Sequence, residues 1–102
     1  MTDPLFARFG RAYQPGDVLF REGESGDVMF VIQSGAVRIT KGIGGEDKVL
    51  AVLGPGEFLG EMAILNGKPR TATATIIEAT RCLVIDAKTL ESMVARLSLI
   101  HI

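Results

Sequence analysis

The chain has 102 residues, of which 47% are hydrophobic, and this length and composition suit a single domain with a buried core over residues 1–102. Eleven basic and twelve acidic residues give a net charge of −1, and the absence of a basic run argues against direct nucleic-acid contact. Cys82 is the only cysteine and His101 the only histidine, so neither a disulfide framework nor a cysteine–histidine metal site is expected.

The N-terminus lacks a charged region followed by an apolar signal segment, and no apolar run approaches the roughly 18 residues of a membrane span. We therefore expect a cytoplasmic, reducing setting without a membrane partner. Cys82 lies in the apolar run Arg81 to Asp86, where a small buried side chain is the simplest interpretation.

Short apolar runs separated by turn residues follow a short helix, which we predict over Asp3 to Phe9. The runs that predict strands are Val18 to Phe20, Val28 to Ile32, Ala36 to Lys41, Lys48 to Leu53, Ala72 to Ile77 and Arg81 to Ile85. Gly42 to Asp47 has the composition of an exposed hairpin loop. Strands at this even spacing indicate an antiparallel sandwich or jelly roll.

Turn glycines and a C-terminal helix complete the predicted elements. Four glycines between the strands are expected to adopt backbone angles that other residues avoid, namely Gly16, Gly23, Gly26 and Gly35. From Ala87 onward the apolar period changes to that of a helix, with Asp86 as the expected N-cap. The helical positions are Leu90, Met93, Val94 and Leu97.

The segment Phe58 to Ala74 predicts an anion site. It has the pattern of a turn, a very short helix and a constrained loop that ends in an arginine. The first N–H groups of a helix lack intrahelical acceptors, and Arg70 can complete an anion site beside them. Glu61 lies in the first helical turn, where its carboxylate can accept from a sugar hydroxyl. Phosphate donors beside a ribose acceptor suggest a nucleotide ligand, and no catalytic group accompanies them.

Five segments in order give the chain a resemblance to the cyclic nucleotide-binding domains of catabolite-activator regulators, protein kinase regulatory subunits and cyclic-nucleotide-gated channels. They are Pro15 to Phe20, Gly23 to Asp27, Ile32 to Val37, Gly56 to Glu61 and Pro69 to Ala72. The resemblance implies a mainly β fold with flanking helices. It would be an antiparallel, jelly-roll-like β-roll with a short helix in a phosphate-binding cassette, Gly60 to Ala72, and a C-terminal helix.

The resemblance also implies a role for each cassette residue. Glu61 would accept from the ribose 2′-hydroxyl, and Arg70 would meet the exocyclic oxygens of the cyclic phosphate. Gly60 would allow close backbone approach, and Thr71 would place a hydroxyl beside phosphate or base. Backbone N–H groups near Met62, Ala63 and Ala72 would add donors. Val49, Ala51 and Leu59 are apolar candidates for contact with the base.

The expected ligand is a 3′,5′-cyclic mononucleotide, cAMP in preference to cGMP, and no further cofactor is expected. No Gly-x-x-x-x-Gly-Lys loop for a triphosphate is present. Complete members of the family carry a further helix that closes over the base, and the apolar end of this chain is too short to act as one. Weak or poorly discriminating binding is therefore expected, and the chain is predicted to be a regulatory module rather than an enzyme.

A different interpretation remains open, in which the β-roll is an interaction or oligomerisation domain that no longer binds nucleotide. The apolar residues at the C-terminal end could then contact a partner protein or a second copy of the chain. These residues are Leu97, Leu99, Ile100 and Ile102.

Overall fold

A computed structural model describes the backbone of residues 4–100 and the side chains of residues 6–93. The elements in chain order are α1 (Pro4–Phe9), β1 (Gly10–Tyr13), β2 (Val18–Phe20), β3 (Val28–Ile43), β4 (Glu46–Leu53), β5 (Phe58–Leu59), α2 (Glu61–Asn66), β6 (Thr73–Asp86) and α3 (Ala87–Ile100). The predicted N-terminal helix is present from Pro4, and Asp3 lies outside the described residues. Strand β1 was not predicted.

All strand pairs are antiparallel. The main path of the sheet is β1-β6-β3-β4, while β2 pairs with β6 and β5 pairs with β3. This arrangement confirms a mainly β fold with helices at both ends of the described chain. Because β5 pairs with β3 directly before α2, the sheet fixes the point at which the predicted cassette begins.

Two long strands replace the four shorter ones that the sequence predicted. Strand β3 continues through Gly35, and β6 continues through Thr80. The pairing of β3 with β6 shifts register around Ser34 to Val37, and Gly35 has a φ of 96° there. Irregularities of this kind bend a strand without ending it. The Ser34-Gly35 pair therefore marks a bulge, not the predicted interruption.

The hairpin between β3 and β4 is shorter than predicted. Only Gly44 and Gly45 form the turn, with φ values of 63° and 83°, because the ladder continues to the pair Ile43 and Glu46. Strand β4 pairs with β3 alone among the described residues, so its second edge is open there. Val49, Leu50 and Val52 on this strand are more than half exposed.

Successive side chains of a strand point to opposite faces of a sheet, so the apolar residues of β3 and β6 form two clusters, one on each face. The inner face holds Phe30, Ile32, Val37, Leu59, Ala74, Ile76 and Cys82. The other face holds Met29, Leu83 and Ile85, packed against residues of the helices that include Phe6, Phe9, Leu90 and Met93. The second cluster therefore connects α1 and α3 to the sheet.

The C-terminal helix begins where the sequence predicted. Asp86 Oδ1 accepts a hydrogen bond from the Thr89 backbone N–H at 2.8 Å, which confirms Asp86 as the N-cap. This bond and one from the Thr89 side chain lower the pKa of Asp86. The predicted partner surface formed by Leu97 and the residues after it lies outside the described side chains.

Candidate functional site

A cavity of about 200 Å³ opens between α2, the loop after it and the inner face of the sheet. All eight residues predicted for ligand binding border it: Leu59, Gly60, Glu61, Met62, Ala63, Arg70, Thr71 and Ala72. The residues that the sequence did not single out for this cavity are Phe20, Ile39, Leu53, Phe58 and Pro69. Of the three candidates for base contact, only Leu59 borders the cavity, while Val49 lies exposed on the open edge strand.

Glycines determine both ends of α2. Gly60 precedes the helix with a φ of 85°, and Gly67 follows it with a φ of 64° and donates its N–H to the Ala63 carbonyl at 3.1 Å. Among the described residues no side chain caps the N-terminal end of the helix, so its first N–H groups have no side-chain acceptor there. Glu61, the first helical residue, lies in the first turn as predicted.

The backbone of Arg70 pairs with the turn between β2 and β3. The Arg70 N–H donates to the Glu24 carbonyl at 2.7 Å, and the Arg70 carbonyl accepts from the Gly23 N–H at 2.8 Å. This two-way pairing crosses 46 positions of sequence, from 24 to 70. The turn thus fixes the place from which the Arg70 side chain enters the interior.

The Arg70 side chain is only 6% exposed, and its guanidinium lies beneath the cassette. Nη1 donates to the Gly60 carbonyl at 2.9 Å, and Nη2 donates to the Val28 carbonyl at 2.8 Å. The Phe20 ring lies 4.3 Å from Cζ, within the range of a cation–π contact. Nε is buried without a hydrogen-bond partner. The guanidinium is therefore held firmly but is not fully satisfied.

Two glycines leave the space that the guanidinium occupies. A Cβ on Gly26 would overlap the guanidinium, and a Cβ on Gly60 would crowd Nη1. The expectation that Gly26 needs unusual backbone angles is wrong, because its φ lies outside the left-handed region where Gly16, Gly23 and Gly35 are found. A glycine is needed at position 26 because a larger side chain would collide with the Arg70 guanidinium. The turn pattern in the sequence does not reveal this contact.

Within residues 6–93, the charge of Arg70 has no ion-pair partner. Among the described side chains, the carboxylates within 4.0 Å of a cation are Glu22 and Glu46, and both pair with lysines. Burial lowers the pKa of Arg70, whereas the charges of Asp27 and Glu24 act from a distance in the opposite direction. An arginine remains protonated even so, and a buried charge without a counter-ion is unfavourable. The cavity wall therefore carries a buried positive charge that is not paired with a carboxylate among the described side chains.

The remaining predicted residues differ in how far they reach solvent. Leu59, Ala63 and Ala72 are buried, Gly60 and Glu61 are half-buried, and Thr71 and Met62 are exposed. Phe58 and Met62 are 55% and 50% exposed although they border the cavity. Apolar side chains thus surround the opening, with the charged group at depth.

The described residues contain no group of three or more histidine, cysteine, aspartate or glutamate side chains that could hold a metal ion. Within the same part of the chain, no helix is both long and apolar enough to cross a bilayer.

Comparison with known proteins identifies the family. Residues 10–97 match the family model of the cyclic nucleotide-binding domain. The chain is 35% identical over 91 residues to the cyclic AMP receptor protein of Thermus thermophilus, covering 88% of this chain and 42% of that protein. It is 36% identical over 87 residues to a cGMP-dependent protein kinase of Eimeria tenella, covering 85% of this chain and 8% of the kinase.

A solved structure extends the likeness to three dimensions. The regulatory domain of Toxoplasma gondii PKA, crystallised with cAMP, superposes with a TM-score of 0.77 at 34% identity, over 81% of this chain and 32% of that chain. The chain belongs to the cyclic nucleotide-binding domain family, and its fold is the β-roll of that family, as predicted. It spans less than half the length of these relatives.

Proposed function

We propose that this domain binds a 3′,5′-cyclic mononucleotide and acts as a regulatory sensor module. The observation that carries the proposal is Arg70, a residue only 6% exposed that borders a cavity and has no ion-pair partner among the described side chains. Burial of an unpaired charge costs free energy that a bound anion would offset. A cyclic phosphodiester carries one negative charge, which matches one unpaired arginine better than a triphosphate does.

The cassette supplies the other contacts in this proposal. Glu61 accepts from the ribose 2′-hydroxyl, and Thr71 donates to phosphate or base. The N–H groups near Met62, Ala63 and Ala72 donate to the phosphate, while Gly60 allows its approach. Leu59 contributes apolar surface. All of these residues border the same cavity as Arg70, which supports a common ligand.

Affinity and base selectivity are proposed to be low for this chain by itself. The cavity of about 200 Å³ is smaller than the roughly 300–1,000 Å³ of well-formed ligand sites. Half of the Phe58 and Met62 surface is exposed beside it, so the base would remain partly in solvent. We favour cAMP over cGMP because the cassette resembles that of bacterial regulators, and a cyclic AMP receptor protein is among the relatives.

Signalling would follow from a shift of α2 on binding, with α3 moving in response. Residues Leu90 and Met93 of α3 pack on the outer face of the sheet, against Met29, Leu83 and Ile85. A ligand can shift such an equilibrium only by its difference in affinity for the two arrangements. Catalysis by the domain is not part of this proposal.

An amide NMR titration with cAMP and cGMP, run side by side, tests the proposal. The unmodified chain should show ligand-dependent shifts in Gly60 to Ala72, larger for cAMP at equal concentration. Arg70→Ala should abolish them while the remaining spectrum stays dispersed. Arg38→Ala is the matched control, because it removes the same charge from an exposed position on β3 and should leave the titration unchanged.

Absence of shifts with either nucleotide in the unmodified chain would overturn the proposal. That result would favour the alternative, a β-roll that serves as an interaction or oligomerisation domain. Equal titrations by Arg70→Ala and the unmodified chain would instead reject Arg70 as the phosphate ligand.

A further inference from the structure

A second polar network joins the far end of the cassette to the hairpin of β3 and β4. Lys41 Nζ lies 2.7 Å from the Thr71 carbonyl, to which it donates, and 3.3 Å from Glu22 Oε2. Glu22 Oε1 accepts from the Gly42 N–H at 3.0 Å. We call the pair Glu22 and Lys41 the exit clamp, because it holds the chain where it leaves the cassette.

The exit clamp closes a junction of three chain segments. The Glu22 N–H donates to Thr73 Oγ1 at 2.9 Å, and Gly23, the next residue, donates to the Arg70 carbonyl. Residues 22–24 therefore run beside residues 70–73, and Lys41 joins both to the hairpin. Arg70 is thus restrained on one side by the β2–β3 turn and on the other through Thr71.

Hydrogen bonds to Glu22 show that its carboxylate is held as an anion. The Gly42 N–H, followed by Lys41, lowers the pKa of Glu22. Both side chains are nevertheless partly exposed, at 38% for Glu22 and 40% for Lys41. An ion pair this exposed contributes little to folding by its Coulomb energy. Its consequence lies instead in where it holds the Thr71 carbonyl, and so the Thr71–Ala72 peptide plane.

We propose that Glu22 and Lys41 are positioning residues for the anion site. Lys41 fixes the Thr71 carbonyl, which orients the Thr71–Ala72 amide and the Arg70 backbone toward the phosphate without touching it. This inference rests on the proposed function, since it assigns a role within the same site. It predicts that loss of the Lys41 hydrogen bond weakens binding through geometry and not through net charge.

The chain offers a close control for charge. Lys48 lies opposite Lys41 in the β3–β4 ladder and pairs with Glu46 at 2.8 Å. Lys48 has no hydrogen bond to the cassette among the described residues. Lys41→Met and Lys48→Met therefore remove the same charge from neighbouring places, but only Lys41→Met releases Thr71. Lys41→Arg keeps a donor that can reach both Glu22 and the carbonyl.

The test is calorimetric titration with cAMP at two salt concentrations, about 0.05 M and about 0.5 M, since salt screens exposed charges. Lys41→Met should weaken binding about tenfold at both, as expected for loss of a charge-assisted hydrogen bond. Lys48→Met should change the affinity less than about twofold, and only at low salt. Lys41→Arg should recover most of the loss.

Phosphorothioate analogues supply a readout that a purely structural role would not change. The ratio of affinities for the Rp and Sp isomers of the cAMP analogue reports on the two exocyclic oxygens separately. Lys41→Met should change this ratio, while Lys48→Met should leave it as in the unmodified chain.

The outcomes separate this inference from the proposed function. Equal, salt-sensitive losses for Lys41→Met and Lys48→Met, with an unchanged isomer ratio, would overturn the positioning role but leave nucleotide binding intact. The positioning role would also be contradicted if the loss of cAMP affinity in Lys41→Met were accompanied by a large fall in the thermal stability of the domain. Absence of binding by the unmodified chain would overturn both proposals together.

Discussion

Thr80 and Arg70 are the buried polar side chains among the described residues, and their surroundings differ. The Thr80 hydroxyl, 1% exposed, donates to the Glu78 carbonyl at 2.7 Å and accepts from the Ala36 N–H at 3.1 Å. Arg70 has two carbonyl partners, an unpartnered Nε and no counter-ion. A saturated polar group stabilises the fold, whereas an unsaturated charge is suited to a ligand.

Among the changes that test this contrast between Arg70 and Thr80, we expect Gly26→Ala to have the largest effect, which is a loss of cAMP affinity. The new methyl group would displace the guanidinium without removing its charge, and we expect cAMP affinity to fall about 30-fold, equivalent to roughly 2 kcal/mol. Gly54→Ala is the matched control, because a Cβ there comes no closer than 4.0 Å to its nearest neighbour, the Gly35 carbonyl. Equal affinities of the two variants in calorimetry would show that the guanidinium position is unimportant.

Thr80→Val is expected to act on stability and not on binding. Loss of the hydroxyl leaves the buried Ala36 N–H without its partner, and the free energy of unfolding should fall by about 1–2 kcal/mol. Urea denaturation measures this change. Thr75→Val on the same strand is the control, since the Thr75 hydroxyl has no hydrogen-bond partner among the described residues, and should cost less. A reduced cAMP affinity in Thr80→Val would contradict the assignment of a purely structural role to Thr80.

The smallest effect concerns Cys82, an uncharged group in the same core as Ile32 and Ile76. Burial raises the pKa of its thiol from 9.0 to about 11. Because the folded state resists ionisation of the thiol, the contribution of Cys82 to stability should be constant well below pH 9 and decrease as the pH rises toward 11. The loss by pH 10 should be about 1 kcal/mol.

The Cys82→Ala variant isolates this contribution to the pH profile. Burial also raises the pKa of Tyr13, so part of the alkaline slope belongs to that residue. Urea denaturation at several alkaline pH values should give a shallower slope for Cys82→Ala than for the unmodified chain. Identical slopes would show that the thiol is not shielded as the structure implies.

The sequence predicted an element most accurately where interactions between residues close together in the chain determine its position. Asp86 as a helix cap and Glu61 in a first helical turn depend on residues three or four positions apart, which a sequence displays directly. The Ser34-Gly35 pair was misinterpreted because a bulge and a turn share the same residue types. What distinguishes a bulge here is the hydroxyl of Thr80, which accepts from the Ala36 N–H across 44 positions of sequence.

The residues of the cassette could be predicted from the sequence, but the contacts that hold the cassette in place could not. Its order along the chain and its resemblance to a known family predicted Arg70 and Glu61 as ligand-binding residues, and both border the same cavity. The clearance at Gly26 and the Lys41 hydrogen bond to Thr71 depend on contacts across 44 and 30 positions, respectively. No periodicity or spacing in the chain encodes such pairs, so they emerge only when the strands are assembled.

The open edge of β4 has a practical consequence for these experiments. Strand β4 pairs with β3 on one edge, and its other edge is open among the described residues. An open edge beside the exposed Val49, Leu50 and Val52 is a template for intermolecular sheet growth, which charged side chains on the same strand oppose. Glu46, Asp47 and Lys48 supply those charges. Lys48→Met removes one of them, so this control variant should precipitate at a lower concentration than Lys41→Met or Lys41→Arg.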